Sequence, residues 1–446
     1  CAIQGISPGL DNVGAFLPYS GMHHLLFGKL DSDALIMTSA NPPGEPMTID
    51  DASALEMGAD GYLLHDQEIV NRADDSVMRM FNGRTQYIRR SRGAVPYSIR
   101  TGVDGDVVAL GAQENLTASV AHDGRIWPTQ YIGNGERIGV IEYLEDAVRM
   151  QTSLLGAVPR AVAVDLHKGY SNRRLASELA SETGAGIVEV QHHWAHTAAL
   201  MADNGIDECV ALALDGTGLG DDGTAWGGEV LHSTFEGYRR VAHLQRIPLI
   251  GGEKAVHDIR RLRFAYDVVS GREPEGFTDM ETELFRKMAP KSVLSSSMGR
   301  FLDAISYTAG SCSARTYDGE PAMRLEPLLS EGKSVPGFET YLEGDTLMVS
   351  HMFEALDESA DRASAAHSMV EATIEGLVGV AVDEARSHGI DAIGLTGGVS
   401  YSSPITRMFV EAVRSAGMTP VLHRDVPNGD CGISVGQAAI AVRSLQ

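Results

Sequence analysis

The sequence predicts an α/β fold, and two observations carry this prediction. Short apolar segments of strand length alternate with polar turns between residues 106 and 127, and the same arrangement recurs between residues 209 and 244. Segments with helical periodicity separate and follow these two regions. Two related halves, each built from a strand meander and helices, are therefore expected in the larger part of the chain.

Composition limits the possible classes of function. The chain has 446 residues, 43% of them hydrophobic, which is ordinary for a globular protein of two or three domains. Its four cysteines form no Cys-x-x-Cys pair, so we expect a reducing, cytoplasmic setting and no cysteine zinc module. The net charge of -24 argues against nucleic acid as a partner. No uninterrupted apolar run reaches the roughly 18 residues of a membrane helix, so no membrane contact is expected.

Residues 1–98 are predicted to form a first α/β domain. An apolar strand is expected at 34–38, followed by a Pro- and Gly-rich turn and a helix around 49–58. The basic stretch at 87–92 is interpreted as the approach to a linker at 99–105. The second domain then covers 106–446. Because the chain begins with Cys1 rather than Met, we also expect it to be a fragment.

The second domain divides into elements that can be taken in chain order. The first half is predicted to contain strands at 107–110, 116–121, 125–127 and 161–165, and helices at 139–155 and 172–183. A histidine-rich segment precedes the second meander, with strands at 209–214, 224–231 and 239–244. Further helices are predicted at 277–309, 360–388, 404–416 and 433–444, with strands at 392–395 and 420–423.

The histidine-rich segment predicts a metal site. His192 and His196 are four residues apart in the first turn of a predicted helix, so both imidazoles lie on one face. Such a pair alone binds metal in roughly one case in five and otherwise marks a polar face. Asp215 and Asp430 each stand where an apolar run breaks at a glycine, and we expect both carboxylates to project from strand ends. His193 is expected to point elsewhere and to pack.

Glycine-rich turns predict a nucleotide cleft. Gly216 and Gly218 lie in the turn after Asp215, and Gly397 and Gly398 follow a strand before a helix. In such turns backbone N–H groups can approach phosphates, although Asp-Gly turns close simple hairpins in about four cases in five. The order of turns and helices is typical of the two-lobed actin-like, sugar-kinase-like ATPase fold, with its ligand between the lobes.

Several motifs in both regions of the chain point to one family when they are taken together. In the first region they are the segments 17–26, 37–46, 71–77 and 89–93, and in the remainder the segments 191–196, 215–229, 251–255, 296–300 and 396–399. These motifs resemble those of the HypF carbamoyltransferases of hydrogenase maturation. The first region resembles the second half of their YrdC-like domain, and the remainder resembles their C-terminal actin-like domain. The resemblance covers nearly the whole chain.

The resemblance implies a two-step reaction. ATP and carbamoyl phosphate would give carbamoyl adenylate, and the carbamoyl group would pass to the C-terminal cysteine of a HypE-like acceptor protein. The resemblance further implies a divalent metal, iron or zinc, at His192, His196, Asp215 and Asp430, with magnesium accompanying ATP. Ser39 and Asn41 match a nucleotide-contacting Ser-x-Asn motif, which by itself reads as a helix-capping turn. Asn428 matches a further nucleotide contact.

The chain also departs from the family pattern. The turn at 111–117 lacks the usual lysine, and the Pro-Asn-Asp-Gly-Gly motif reads Pro-Asn-Gly-Asp-Cys-Gly at 427–432, which shifts Asn428 by one position. The N-terminal acylphosphatase domain, zinc modules and first half of the YrdC-like domain have no counterpart here.

These departures leave three alternative functions open. The first is an O-carbamoyltransferase acting on a small-molecule hydroxyl. The second is a truncated, non-catalytic subunit that binds nucleotide and partner. The third is a relative of the tRNA threonylcarbamoyl transferases, which the acidic composition disfavours.

Overall fold

The computed structural model describes residues 5–102 and 104–446, which fall into two compact units with the boundary after Arg72. The predicted boundary lies later, near residue 98. The two positions differ because residues 77–89 form a hairpin that belongs to the second unit. One of its side chains, Gln86, donates its amide N–H to the carbonyl of Ser400 in the same unit.

The first unit contains two short helices, α1 (Gly21–Phe27) and α2 (Asp51–Leu55). Each begins at a capping side chain, since Ser20 accepts from the backbone N–H of His23 and Asp50 from that of Ser53. The prediction of a strand at 34–38 is wrong, because residues 5–72 contain no strand. A strand requires a hydrogen-bonded neighbour, and Ile36 at the centre of this segment is instead 87% exposed. No residue between 5 and 72 is buried.

The second unit opens with a two-stranded hairpin, β1 (Val77–Phe81) and β2 (Arg84–Arg89). Asn82 and Gly83 join the strands with φ angles of 49° and 76°, which is the backbone that a tight two-residue hairpin turn requires. The first half of the basic stretch interpreted as the approach to a linker, residues 87–89, is therefore the end of strand β2. The predicted linker itself begins with a strand, because Ile99 pairs with Ile126.

The first lobe is a six-stranded sheet in the order β3-β6-β5-β4-β7-β8. Strands β4, β5 and β6 form the predicted antiparallel meander, and β7 and β8 continue it in parallel. The bounds are β3 (Ile99–Arg100), β4 (Val107–Ala109), β5 (Ser119–His122), β6 (Arg125–Pro128), α3 (Ile138–Leu155), β7 (Ala161–Asp165), α4 (Asn172–Thr183) and β8 (Gly186–Val190).

The second lobe repeats this plan with more strands. Its path is β14-β15-β11-β10-β9-β16-β17, and β13 pairs with both β10 and β12. The meander β9–β11 is antiparallel, and β16 pairs with β9 in parallel, as β7 does with β4. The strands are β9 (Glu208–Leu219), β10 (Ala225–Thr234), β11 (Tyr238–Leu244), β12 (Ile247–Pro248), β13 (Leu294–Ser295), β14 (Tyr341–Glu343), β15 (Thr346–Met348), β16 (Ala392–Thr396) and β17 (Thr419–Val421).

Ten helices complete the second unit. One correction concerns the predicted helix 277–309, which is divided by strand β13; Pro290 cannot donate a helical hydrogen bond, and Ser297 caps a new helix by accepting from Arg300 N. The helices are α5 (His192–Asn204), α6 (Glu253–His257), α7 (Arg260–Val269), α8 (Asp279–Met288), α9 (Met298–Ala309), α10 (Glu320–Glu331), α11 (Met352–Glu358), α12 (Arg362–Ser387), α13 (Ser403–Ser415) and α14 (Ile433–Ser444).

Helices α5 and α14 pack against each other, and their crossing depends on Gly436. A Cβ atom at this position would lie 1.8 Å from the carbonyl oxygen of Ala195, so only glycine permits the approach. Buried side chains of both helices join one apolar cluster with strand β4 of the first lobe. This packing fixes the first turn of α5, which carries the paired histidines.

Helix α12 is the one helix in the described chain long and apolar enough to cross a membrane. Its most apolar 18-residue window has a mean hydropathy of 1.2, but 61% of that window is buried inside the protein. Burial within the protein accounts for this apolar composition.

Candidate functional site

The first turn of α5 presents the two predicted histidines side by side. Strand β8 ends at Val190, and the side chain of Gln191 then caps the helix by accepting from the backbone N–H of Trp194 at 2.8 Å. His192 and His196 occupy successive turns of the same face and are 0% and 1% exposed. The cap fixes the start of the helix at His192 and therefore the positions of both imidazoles on it.

The structure brings the four predicted ligand residues together. The Nε2 atom of His192 lies 3.4 Å from Asp215 Oδ2 and 3.6 Å from Asp430 Oδ1. The Nε2 atom of His196 lies 3.9 Å and 3.5 Å from the same two oxygens. One ligand atom from each of the four side chains falls within 4.8 Å of the others. This spacing matches ligands around one cation about 2 Å from each.

The two nitrogens also lack other partners. Both Nε2 atoms are buried and have no hydrogen-bond acceptor or donor within bonding geometry. Burial alone disfavours charge here, yet the Asp430 carboxylate raises the pKa of His192 well above its ordinary value, and His192 holds the pKa of Asp215 well below its own. Buried polar atoms are rarely left unbonded, so these residues fit a divalent cation.

A second cluster of similar composition provides a contrast. His232, Glu384 and His388 also lie within 4.8 Å of one another. However, His232 Nδ1 is 2.7 Å from Glu384 Oε1, and Arg239 also donates to Glu384. In these contacts the side chains hydrogen-bond directly to one another. In contrast, His192 Nε2 and Asp215 Oδ2 lie 3.4 Å apart, and His192 Nε2 has no hydrogen-bond partner.

Asp165 orients His192 and was missed as a site residue in the sequence. Its Oδ2 atom lies 2.8 Å from His192 Nδ1, and its Oδ1 atom accepts from the backbone N–H of His167 at 2.9 Å. Since Nδ1 bonds to this carboxylate, Nε2 is the ring nitrogen that faces the two aspartates and is available to a cation. The available signal was its position at the end of the apolar strand β7, like a carboxylate at a parallel strand end.

Asp215 lies inside β9 rather than at a strand end, which corrects the sequence-based expectation. The pairing of β9 with β10 is irregular between Trp226 and Gly228, so that Asp215 lies in the bulged part of β9, between the paired residues Leu214 and Gly218. The strand then continues to Leu219, so the predicted turn after Asp215 is shorter than expected.

The two glycines that follow Asp215 have different surroundings. A Cβ atom on Gly218 would lie 2.5 Å from Cδ2 of His192 and 2.7 Å from Cε1 of His193, so this glycine makes room for the histidine rings. A Cβ atom on Gly216 would have no atom within 4 Å. Gly216 therefore borders open space, whereas Gly218 packs.

The other glycine pair closes the site from β16. Gly397 adopts a φ of 91°, and a Cβ atom there would lie 2.2 Å from the carbonyl oxygen of Leu214. The N–H of Gly398 donates to Asp215 Oδ1 at 2.9 Å. The pair thus brings the backbone close to β9 and holds one of the four candidate ligands.

Asn428 is buried and directed into the protein. Its side-chain amide donates to Ser400 Oγ at 2.9 Å, and its carbonyl accepts from the N–H of Gly397 at 2.9 Å. It is 1% exposed. In this conformation the side chain supports the turn after β16.

Ser39 and Asn41 belong to the first unit. Ser39 Oγ donates to Asn41 Oδ1 at 2.8 Å, and Asn41 Nδ2 donates to the carbonyl oxygens of Pro42 and Glu45. Asn41 also lines a cavity of about 630 Å³, with Asp50, Ser53 and Arg72 among its other lining residues. The first unit therefore has its own candidate small-molecule cavity.

His193 turns away from the four ligands, as expected. Its Nε2 atom lies 4.0 Å from Glu229 Oε2, and its ring packs beside that of Trp226. Glu229 is fully buried and accepts from Arg240 at 2.8 Å and from Ser296. Burial lowers the pKa of His193, so this ring is neutral.

Three family profiles match this chain. The profile described as "Carbamoyltransferase, Kae1-like Domain, second subdomain" covers residues 211–437, and the "HypF Kae1-like domain" profile covers 103–203. The profile described as "Telomere recombination", of the Sua5, YciO and YrdC proteins, covers 2–91. The chain belongs to the HypF family. The expected YrdC-like and actin-like carbamoyltransferase regions are thereby confirmed at the family level.

Individual HypF proteins match over almost the whole chain. The "Probable carbamoyltransferase HypF" of Methanocaldococcus jannaschii is 36% identical over 96% of this chain, and the "Carbamoyltransferase HypF" of Rhizobium leguminosarum bv. viciae is 35% identical over 98%. The chain spans 58% and 59% of the lengths of these two relatives.

Solved HypF structures share the fold. A full-length HypF in a phosphate- and nucleotide-bound form superposes with a TM-score of 0.92 at 30% identity, covering 99% of this chain and 72% of that one. HypF of T. kodakarensis superposes with a TM-score of 0.91 at 35% identity, covering 98% of this chain and 61% of that one. The predicted α/β fold class is confirmed.

Proposed function

We propose that this chain acts as a carbamoyltransferase of [NiFe]-hydrogenase maturation in the cytoplasm. It would use ATP and carbamoyl phosphate to form carbamoyl adenylate, and pass the carbamoyl group to the C-terminal cysteine of a HypE-like acceptor protein. Membership of the HypF family supports this assignment. The observation that carries it is the set of four ligand side chains, three of them buried and Asp430 partly exposed, with two unpartnered imidazole nitrogens, in the carbamoyltransferase region.

The four side chains His192, His196, Asp215 and Asp430 would hold a divalent cation, and their mixture of imidazole and carboxylate suits iron or zinc. When bound, such a cation supplies a Lewis acid that neutralises phosphate charge and polarises a carbonyl. Asp165 keeps the proton of His192 on Nδ1, which leaves Nε2 free to act as a ligand.

The nucleotide would contact the glycine-rich backbone beside this site. Gly216 borders open space and lies next to Asp215, so its backbone is accessible to a phosphate. Gly218, Gly397 and Gly398 support the same surface by close backbone packing. Asn428 would act through Ser400, to which it is bonded. In the first unit, Ser39 and Asn41 would contact ATP, with magnesium accompanying the triphosphate.

The transfer step balances without a further reactant. The bond between the carbamoyl carbon and the phosphate oxygen of AMP breaks as the carbon–sulfur bond forms. AMP leaves with the bonding electron pair, and the acceptor thiol releases its proton to solvent. The chain's own residues would bind the adenylate and hold the leaving phosphate, which lowers the barrier through positioning and charge stabilisation.

Incubation of the purified chain with ATP, carbamoyl phosphate, Fe²⁺ or Zn²⁺ and a HypE protein tests the proposal. We expect AMP release and one added carbamoyl group on the C-terminal HypE peptide, measured by mass spectrometry. Asp430→Asn is expected to abolish transfer, whereas Asp106→Asn, which alters a separate Asp–His pair, should not. Metal binding without any carbamoylation of HypE, but with carbamoylation of an added small alcohol, would replace this proposal with O-carbamoyl transfer.

A further inference from the structure

Tyr401 joins two segments of the second unit that meet beside Asp430. It ends the short 3₁₀ turn Gly398–Tyr401, which follows β16. Its phenol oxygen accepts from the backbone N–H of Gly429 at 2.9 Å and donates to the carbonyl of Ile88 at 3.1 Å. One side chain therefore ties the residue before Asp430 to the β1–β2 hairpin.

The Tyr401 ring also packs closely against Gly429. A Cβ atom on Gly429 would lie 2.8 Å from Cε2 of Tyr401 and 3.3 Å from Cα of Gly398. Contacts this short leave no room for a side chain, so the ring and the Gly398 backbone together enclose Gly429. The peptide that leads into Asp430 is thus held by packing as well as by a hydrogen bond.

The same turn holds the second carboxylate. Its first residue, Gly398, donates its N–H to Asp215 Oδ1 at 2.9 Å, while its last residue, Tyr401, bonds to Gly429. Ser400 lies between them and accepts from Asn428 Nδ2 at 2.9 Å. The turn therefore contacts the backbone or side chain beside both aspartates of the candidate metal site.

The β1–β2 hairpin holds the turn Gly398–Tyr401 in place through hydrogen bonds. Gln86 Nε2 donates to the carbonyl of Ser400 at 3.2 Å, and this contact is buried. Arg79 donates to the carbonyl of Tyr401 at 2.5 Å and lies 3.5 Å from Glu326. Together with the bond to Ile88, three hydrogen bonds connect the hairpin to two consecutive residues of the turn.

We infer that Tyr401 is a positioning residue for Asp430, which it holds at the metal site by fixing Gly429 against the turn and the β1–β2 hairpin. The inference rests on the proposed metal-binding role of Asp430. The role of Tyr401 is to place the Asp430 carboxylate, because its phenol oxygen bonds to the backbone of Gly429 and of Ile88.

The test is titration of the whole chain with Co²⁺ alone, followed by visible absorption. The intensity of the d–d bands reports how much Co²⁺ is bound, and their wavelengths report its coordination geometry. A variant that is merely less stable gives the same wavelengths and the same Kd in the molecules that remain folded. Tyr401→Phe removes the phenol oxygen but keeps the ring. We expect the Kd for Co²⁺ to rise about tenfold and the bands to shift. The control variant is Tyr266→Phe, which removes a phenol oxygen from the core beside Phe301 and Phe353. It should change neither the Kd for Co²⁺ nor the position of the bands.

Gly429→Ala provides a second variant should Tyr401→Phe fail to fold, because its new Cβ atom meets the Tyr401 ring and displaces the same peptide. It too is expected to weaken Co²⁺ binding and shift the bands. Wild-type Kd and spectrum in both variants would overturn the positioning role while leaving the metal site intact. No Co²⁺ binding by the wild-type chain would overturn the metal site itself, and this inference with it.

Discussion

The Nδ1 atom of His192 lies 2.8 Å from the Oδ2 atom of Asp165, and both side chains are at most 1% exposed. Because Nδ1 bonds to this carboxylate, the other ring nitrogen, Nε2, is the one directed toward Asp215 and Asp430. A buried carboxylate therefore decides which ring nitrogen of His192 is directed into the candidate metal site.

Asp165→Asn should weaken metal binding. The amide loses the negative charge that supports the Nδ1 proton, so the Kd for Zn²⁺ is expected to rise between 10- and 100-fold, as measured by competition with a coloured chelator. Asp106→Asn is the matched control, because Asp106 Oδ1 also lies 2.8 Å from a histidine nitrogen, that of His122. Equal Zn²⁺ affinity in both variants would contradict the role assigned to Asp165.

Gly218→Ala should disrupt the site, and Gly216→Ala should leave it intact. The new methyl group at 218 would lie 2.5 Å from the His192 ring, which we expect to cost about 1–3 kcal/mol of stability and to displace the imidazole. At 216 the methyl group has no neighbour within 4 Å. Thermal unfolding and Zn²⁺ titration of both variants measure the difference. Similar losses at the two positions would show that steric contact with His192 is irrelevant.

Gly436→Ala should destabilise the second unit strongly. The methyl group would lie 1.8 Å from the Ala195 carbonyl oxygen, forcing α5 and α14 apart, with an expected loss of about 3 kcal/mol in urea unfolding. Gly379→Ala in α12 is the matched control, since its Cβ atom would meet nothing within 4 Å. That variant should gain about 0.5–1 kcal/mol from reduced backbone freedom in the unfolded chain. A neutral Gly436→Ala variant would disprove the close crossing.

Thiol reactivity should be low in the native chain. Cys209, Cys312 and Cys431 are at most 7% exposed, and burial raises the pKa of Cys209 to about 12. In a Cys1→Ser variant, a disulfide reagent at pH 8 should therefore react slowly until the chain is unfolded by urea, when three thiols become available. Rapid stoichiometric reaction under native conditions would contradict this burial.

Limited proteolysis should cut the first unit before the second. Residues 5–72 contain no buried residue, whereas strands β9 and β10 are buried along most of their length. Segments with few buried contacts open at low free-energy cost, so early cleavage by a non-specific protease is expected before residue 73. Mass spectrometry of the first fragments gives the cut positions. Early cuts within β9 would be inconsistent with the structure.

Much of the second domain could be predicted from local pattern. The bounds of β7 and α4 agree with the sequence-based expectation residue for residue, because each combines clear periodicity with a polar or glycine boundary. The prediction failed at 34–38, where apolar composition alone suggested a strand, and at 277–309, where helical periodicity hid the break at β13. At 34–38 the outcome depends on whether a hydrogen-bonding neighbour is present, which local pattern does not reveal. At 277–309 the local signals of a break, Pro290 and the capping residue Ser297, were outweighed by the helical periodicity on either side.

The sequence by itself determined the metal-ligand candidates. A histidine pair four residues apart lies on one helical face whatever the rest of the fold, and the glycines beside Asp215 and Asp430 together with the family resemblance named these two aspartates as its partners. The sequence did not reveal Asp165 or Tyr401, because each acts on a residue distant in the chain: Asp165 on His192 and Tyr401 on Gly429. Only tertiary structure brings these partners within 3 Å, since packing between separate elements, rather than local spacing, sets the distance.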